Sequence, residues 1–329
     1  MIAPSSAVER FRHEALLYAN EAEFVAGTVG FVRDGIRNGE PVLVVESLHR
    51  IHQVRSALGG DADQVQFADM AEVGANPARI IPAWQDFVDR YPTAHRLRGI
   101  GEPIWPGRSA DEVIECQRHE ALLNTAFATG RPWWLLCPYD VHRLPADVIA
   151  EAHRSHELVT SSDGVSSSSG FRSGTLSRLP LSAPFAEPQL VLGSYSFGRN
   201  SLAALRHELL AVIASSGLSK SQRLEFVLGV NEIATNSVQH GGGYGTARVW
   251  VEADTAVCEI RDDGFIDEPL ADRRRPGAEA SASRGYWLAN QLCDLIQIRS
   301  GPAGTAVRLH KRPQSDGPRL RVMDPAASN

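Results

Sequence analysis

Along the first half of the chain, apolar positions cluster in short continuous runs, and the stretches between them repeat apolar residues at helical spacing. The runs 41–46 (PVLVVE), 64–67 (QVQF), 97–100 (LRGI) and 133–137 (WWLLC) predict strands. The stretches 17–37, 48–58, 77–90 and 110–128 predict amphipathic helices. Continuous apolar strands alternating with helices predict an α/β unit, a parallel sheet with helices on its faces. The hexapeptide RHEALL occurs at 12–17 and again at 118–123. One short echo does not make a solenoid. Both copies are expected on helices, either as two termini with the same charge pattern or as two helices facing one pocket.

The second half has a different rhythm. Asn200 or Ser201 can cap a helix that runs to Ser216 and stops at Gly217, with Leu202, Leu205, Leu209 and Ile213 as its buried stripe. A second helix is expected over 221–239. Strands at 246–252 and 256–262 form a hairpin across Ala253, Asp254 and Thr255. Residues 265–283 are polar, rich in Arg and Ala, and carry no apolar period, so they read as a long loop. A short helix at 285–293 and strands at 295–300 and 305–310 complete the pattern. Helix, helix, strands, loop, helix, strands predicts an α+β two-layer sandwich.

At 329 residues the chain is long enough for two domains. Six of the ten residues 161–170 are serine, a composition that buries too little to fold on its own. The expected division is a domain at 8–158, a flexible Ser-rich linker at 159–188, a domain at 189–312 and a disordered tail at 313–329. The formal net charge is −6, which argues against a nucleic-acid partner, since phosphate-backbone affinity needs a dense cationic face. No apolar run approaches the length of a membrane span, and the N-terminus lacks the basic start and apolar stretch of a secretory signal. The four cysteines stand far apart, which fits a reducing cytoplasm better than a disulfide scaffold.

Four segments of the second half carry candidate chemistry. In VNEIATNSVQHGG, Glu232, Asn236 and His240 are spaced four apart and share a helix face. A carboxylate and an amide oxygen there can serve a hydrated Mg²⁺. A solvated polar face is the plainer reading of that stripe. Asp262 and Gly264 lie in RDDG at the end of a strand, where the carboxylate can accept from an exocyclic amine and the glycine lets the chain turn under a flat ring; an ordinary Asp-Gly turn is the alternative. Arg284 and Gly285 sit at a small-residue helix entry, a place suited to phosphate. Thr305 follows the turn at 301–304. In the first half, His13, Glu102, Cys116, His119, Cys137 and Tyr139 lie beside apolar segments. Cys116 and His119 are one helical turn apart and can reach one metal ion; the alternative is buried core cysteines and a satisfied helix histidine.

In this order and spacing, the four C-terminal segments resemble the Bergerat-fold ATPases. That group includes histidine-kinase catalytic domains, gyrase and anti-sigma-factor serine kinases. The nearest likeness is to the RsbW-like anti-sigma kinases and their E-x-x-x-N-x-x-x-H-G pattern. The resemblance spans about 190–311 and implies a role for each match. Asn236 would bind Mg²⁺, Glu232 would act as general base, and Asp262 would take the adenine amine. Gly264 would floor the purine site with Thr305 supporting it, His240 would stand beside the nucleotide, and Arg284 and Gly285 would touch phosphates. Residues 265–283 would be a mobile lid, and its run Arg273-Arg274-Arg275 would be solvated, or used by an acidic partner or the ATP phosphates. Ile266 and Ser283 stand where that group often has glycine, so ATP binding is expected ahead of fast turnover. His207-Glu208-Leu209 looks like a phosphoacceptor box but lies inside the ATPase region, and His207 is expected to be a solvated helix residue.

The N-terminal segments RHEALLY, GIRNGEPVLVVE, RGIGEPIW, ECQRHEALLN and LLCPYD resemble the MEDS sensory domain. That resemblance implies a RecA-like parallel sheet and a small sensed ligand, with His13, Cys116, His119 and Cys137 as candidate contacts. No G-x-x-x-x-G-K-[ST] is present. The combination resembles the RsbA-type anti-sigma regulators. It implies a cytoplasmic ATP- and Mg²⁺-dependent serine/threonine kinase that acts on an anti-sigma antagonist, binds a sigma factor, or both, and that forms a homodimer. A non-catalytic nucleotide-gated binding module is the alternative, and a two-component histidine kinase is a third reading.

Overall fold

The computed structural model describes residues 10–172, 184–276 and 281–313, and for 281–283 the backbone alone. Parts of the expected linker (173–183), lid (277–280) and tail (314 onward) therefore lie outside the described residues.

The N-terminal half runs β1 (Arg12–Tyr18), α1 (Glu21–Arg37), β2 (Val42–Glu46), α2 (Leu48–Leu58), β3 (Val65–Asp69), α3 (Met70–Val73), α4 (Ile80–Arg90), β4 (Leu97–Gly101), α5 (Ala110–Ala126), β5 (Trp133–Asp140), α6 (Ala146–Ser155), β6 (Leu158–Ser161) and β7 (Gly164–Ser167). The strand order is β3-β2-β4-β5-β1-β6-β7, parallel throughout except for the β6–β7 hairpin at the edge. Both faces are covered, as near-continuous apolar strands require. On one face Phe24, Val32 and Val54 pack on Leu16, Val44 and Ile100. On the other, Trp84 and Leu122 pack with Ala15, Leu135 and Cys137. Side chains alternate along a strand, so His13 shares the Ala15 face and points toward α5.

The first RHEALL copy corrects an expectation. It is β1, hydrogen-bonded between β5 and β6, whereas the second copy lies within α5. The flanking residues decide. Asn20 caps α1 by accepting from the Glu23 N–H at 3.0 Å, which starts that helix only at Glu21. Upstream of the second copy, Ser109 accepts from the Glu112 N–H at 3.3 Å and Glu112 accepts from the Ser109 N–H at 2.8 Å. That reciprocal box starts α5 and carries the helix through RHEALL. A second difference lies at 164–167, expected as linker but forming the exposed edge strand β7, with Gly164 at φ 105° in the turn.

The C-terminal half runs β8 (Gly193–Gly198), α7 (Leu202–Val212), α8 (Lys220–His240), β9 (Tyr244–Glu252), β10 (Thr255–Asp262), α9 (Ser281–Leu292), β11 (Leu295–Gly301) and β12 (Gly304–Lys311). Its five-stranded sheet, β11-β12-β10-β9-β8, is antiparallel throughout. The three helices pack on one face around Leu209, Phe226, Val230, Ile233, Ala289 and Leu309. This is the expected α+β layer sandwich, a Bergerat-type architecture. The edge strand β8 was not anticipated, because Phe197 is its one buried side chain. Among the described residues no helix is long and apolar enough to cross a membrane.

Because α5 depends on one reciprocal cap, Ser109→Ala is expected to lower stability by about 1 kcal/mol. Chemical denaturation measures this; an unchanged midpoint would show that tertiary packing alone holds the helix start.

Candidate functional site

The site forms where α8 ends beside the end of β10. α8 closes at His240, with the Gly241 N–H donating to Ser237 O at 2.8 Å. Gly241 is small for a reason: a Cβ there would lie 2.5–2.8 Å from the Asp262 carboxylate. Asp262 ends β10 opposite Thr305 of β12. Its carboxylate accepts from the Ser237 hydroxyl, and from the Gly264 N–H at 2.8 Å. Gly264 nests against Gly241, where a Cβ would come within 2.8 Å of Gly241 Cα.

A hydrogen-bond chain then ties the turn to the last hairpin. The Ile266 N–H donates to Ser300 Oγ at 2.8 Å, Ser300 and Thr305 share a bond at 2.8 Å, and Thr305 Oγ1 donates to Gly264 O at 2.8 Å. Gly304, at φ 106°, is required where β12 begins, since a Cβ would overlap Asp262 O.

These elements enclose a cavity of about 420 Å³ lined by Asn236, His240, Asp262, Gly264, Tyr286 and Thr305 and walled on one side by 265–268 and Ala271. Its size suits a small ligand. A larger cleft of about 660 Å³ lies on the outer side of the 262–266 segment, lined by Tyr244, Arg261, Phe265 and the 301–304 turn. It shares Asp262, Phe265, Ile266, Asp267 and Thr305 but includes nothing from α8, so the smaller cavity is the one that gathers the motif. Five of the eight predicted C-terminal residues line it. Gly285 lies behind it, where a Cβ would sit 2.9–3.0 Å from the Asn236 carboxamide Nδ2 and Oδ1. Glu232, one turn before Asn236, is half-buried outside the lining, and Arg284 is exposed on the first turn of α9. Sequence reasoning missed Ser237 and Tyr286. Burial raises the Tyr286 pKa, so its hydroxyl stays protonated. An apolar-looking helix position gave no signal for either.

The expected mobile lid is where the structure corrects the sequence reading most. Its first part is docked on the N-terminal half. Leu270 joins the apolar cluster around Trp84 and Leu122. Arg273, expected to be solvated, is fully buried, and only Arg274 and Arg275 are exposed. Arg118 of α5 holds both Asp272 oxygens at 3.0 Å and donates to Pro269 O at 3.3 Å. Arg273 donates to Asp272 at 3.0 Å and to Glu115 of α5. Burial opposes ionisation of Asp272, but Arg118 and Arg273 outweigh it and hold its pKa below the usual value.

The same half also grips α9. Arg79 donates to Asn290 O at 2.8 Å, Gln291 O at 2.9 Å and Cys293 O at 3.2 Å, filling the open carbonyls at the helix end. Asn76 donates to Asn290 Oδ1 at 3.0 Å, and Asn290 donates to Asp272 O at 2.8 Å.

In the N-terminal half the four candidate contacts separate. Cys116 donates to Pro103 O at 3.3 Å, and burial pushes its thiol up to about 12. His119 is buried, its pKa lowered to about 3 by desolvation. The expected Cys116–His119 metal pair is not among the clustered donors; His13 and Cys137 are, together with Glu120 and His156.

Residues 12–157 match the family model described as MEDS, MEthanogen/methylotroph, DcmR Sensory domain, and residues 198–311 match the histidine kinase-like ATPase domain. A solved structure, the RsbU and RsbW domains of Rv1364c from Mycobacterium tuberculosis, is similar with 18% identity and a TM-score of 0.28. The likeness covers 36% of this chain and 32% of that one, so the chain spans about a third of its length. No curated protein matches the chain.

Removing one partner from a buried ion cluster strands the others, so Asp272→Asn is expected to cost about 3–5 kcal/mol. Limited proteolysis and denaturant titration check this together. Cleavage should appear near 268–276 in the variant, and an unshifted midpoint with no new cleavage would mean the docking carries little free energy.

Proposed function

We propose that this chain, which joins a MEDS domain at its N-terminus to a histidine kinase-like ATPase domain at its C-terminus, is an ATP-binding regulator of the anti-sigma type. Its nucleotide site would be set by the state of the N-terminal domain. One observation carries the reading: the cavity gathers Asn236, His240, Asp262, Gly264 and Thr305, and the segment that walls it is fastened to α5. On this reading the two domains are those expected from composition, except that the sensory unit extends beyond residue 158 through β6 and β7, which belong to its sheet.

The residues fit a nucleotide. The Asp262 carboxylate, held by Ser237 and the Gly264 N–H, accepts from the adenine amine, and Gly264 lets the ring lie flat. Thr305 fixes that turn, and His240 borders the site. Arg284 and the first turn of α9 would meet the phosphates through charge and backbone N–H groups. Mg²⁺ prefers a few oxygen ligands plus water and phosphate; Asn236 supplies one such oxygen, and Gly285 keeps side-chain bulk away from it. When bound, the ion would screen phosphate charge. Glu232 takes the proton of a serine or threonine hydroxyl on an anti-sigma antagonist, that oxygen bonds to the γ-phosphorus, and ADP departs. The chain's contribution is positioning and proton acceptance. A sigma factor is the second expected partner, and a homodimer through the ATPase domain belongs to the same reading.

A second reading has its own support. Ile266 is tied into the Ser300–Thr305 chain, and Leu270, Asp272 and Arg273 of the docked segment are buried where a lid would need to move. Nucleotide binding without phosphoryl transfer, setting partner affinity, fits those two facts. The histidine-kinase reading gains nothing, since His207 is an exposed residue of α7 on the ATPase domain itself.

Calorimetry with ATP and Mg²⁺ tests the site. Asn236→Ala should weaken binding about tenfold to a hundredfold, the loss of one charge-assisted contact. No binding to the unaltered chain would end the nucleotide reading. Glu232→Gln should leave binding intact and lower phosphate incorporation into the antagonist by about 10²–10⁴-fold. Binding without incorporation in the unaltered chain would select the non-catalytic module.

A further inference from the structure

His13 of β1, Glu120 of α5, Cys137 of β5 and His156 at the end of α6 bring one donor each to a single point, all within 4.8 Å of one another and all buried. His13 Nε2 lies 3.0 Å from Glu120 Oε2, His156 Nε2 lies 3.2 Å from the same oxygen, and Cys137 Sγ lies 3.4 Å from His13 Nε2. The cluster is separate from the nucleotide cavity.

The surrounding hydrogen bonds decide which ring nitrogens carry protons. His156 Nδ1 faces Ala152 O at 2.8 Å, a pure acceptor, so the proton is on Nδ1. Asn124 donates its Nδ2 to Ser155 O at 2.7 Å, which turns its Oδ1 toward His13 Nδ1 at 3.3 Å and places a proton there too. Both Nε2 lone pairs therefore converge on the Glu120 carboxylate. Glu120 Oε1 and His156 Nε2 have no hydrogen-bond partner although fully buried. Two lone pairs facing an anion in a dry site call for a cation between them.

We infer that His13, Glu120, Cys137 and His156 form a four-coordinate site for a zinc-type divalent cation. Two imidazole nitrogens, a thiolate and a carboxylate are a zinc donor set, whereas Mg²⁺ and Ca²⁺ demand more oxygens. Zinc bond lengths of about 2.0–2.3 Å imply donor separations of roughly 3.3–3.8 Å; the three separations above, 3.0–3.4 Å, lie close to that range, and the full set lies within 4.8 Å, so binding would draw the outermost donors inward. The backbone and Asn124 bonds to the Nδ1 atoms are the outer-shell contacts that such histidines use. Binding forms the metal–sulfur bond and releases the Cys137 thiol proton to solvent. Cys⁻ and Glu⁻ then neutralise the ion, which suits a buried place.

Glu120 shares α5 with Glu115 and Arg118, which hold the docked segment. On the proposed function above, metal loading would thus reach the nucleotide site by setting how α5 presents those two side chains.

The test uses the untagged full chain, refolded under reducing conditions with Co²⁺ or Zn²⁺ and desalted, so that burial does not bar entry. We expect one metal per chain, about one proton released per metal, and a thiolate-to-cobalt charge-transfer band. Cys137→Ser should abolish that band, Cys116→Ser should keep it, and Asn124→Ala should weaken affinity about 10–100-fold. A refolded chain with a native circular dichroism spectrum but no stoichiometric metal would overturn the site. So would a band that survives Cys137→Ser. Neither readout needs nucleotide, so failure of ATP binding would leave the metal result standing.

Discussion

Buried charge must be paired, and that constraint organises this molecule. Glu115, Arg118, Asp272 and Arg273 are all almost wholly removed from water. Two come from α5 and two from the segment that walls the smaller cavity of the ATPase half. Neither pair can be left exposed to an apolar surface without the other. Such a cluster contributes little net stability compared with apolar packing, but it is highly particular about what meets what. It specifies the register between the sensory and ATPase halves, where apolar contact alone would tolerate sliding.

Helix α5 is therefore shared. One side carries Glu115 and Arg118 to the ATPase half, and another turns Glu120 into the histidine–cysteine cluster of its own sheet. Its N-terminus adds Asp111, which accepts from Gln297 at 3.1 Å, and Glu112, which accepts from Arg312 at 3.1 Å. A helix covered on several sides by polar partners has no clean apolar stripe. This is why its pattern announced a helix without announcing an interface. A packed element with partners at both ends is also the kind of body through which one site can bias another.

The two RHEALL copies show where local reading ends. The same six residues are a strand at 12–17 and helix at 118–123, because neighbouring caps and sheet partners outweigh a propensity difference of tenths of a kcal/mol per residue. Yet the copies do meet. His13 of the first lies 3.0 Å from Glu120 of the second, as a strand against a helix rather than as the two helices expected.

Some features were determined by sequence alone. Apolar runs and amphipathic periods located most strands and helices, because burial of one face is a property each segment carries by itself. Much of the cavity lining was legible too. Asn236 and His240 are tied by helical spacing, and Gly241, Gly264 and Gly304 mark close backbone approach. Other features were decided only by the tertiary structure. Arg273 looked solvated because Glu115, which it meets in the buried cluster, lies 158 residues away in the chain, and Cys116–His119 looked like a metal pair because local spacing says nothing about which way a buried helix turns. Glu120 and His156 gave no signal at all, since their meeting depends on strand order, and strand order is a property of the whole sheet.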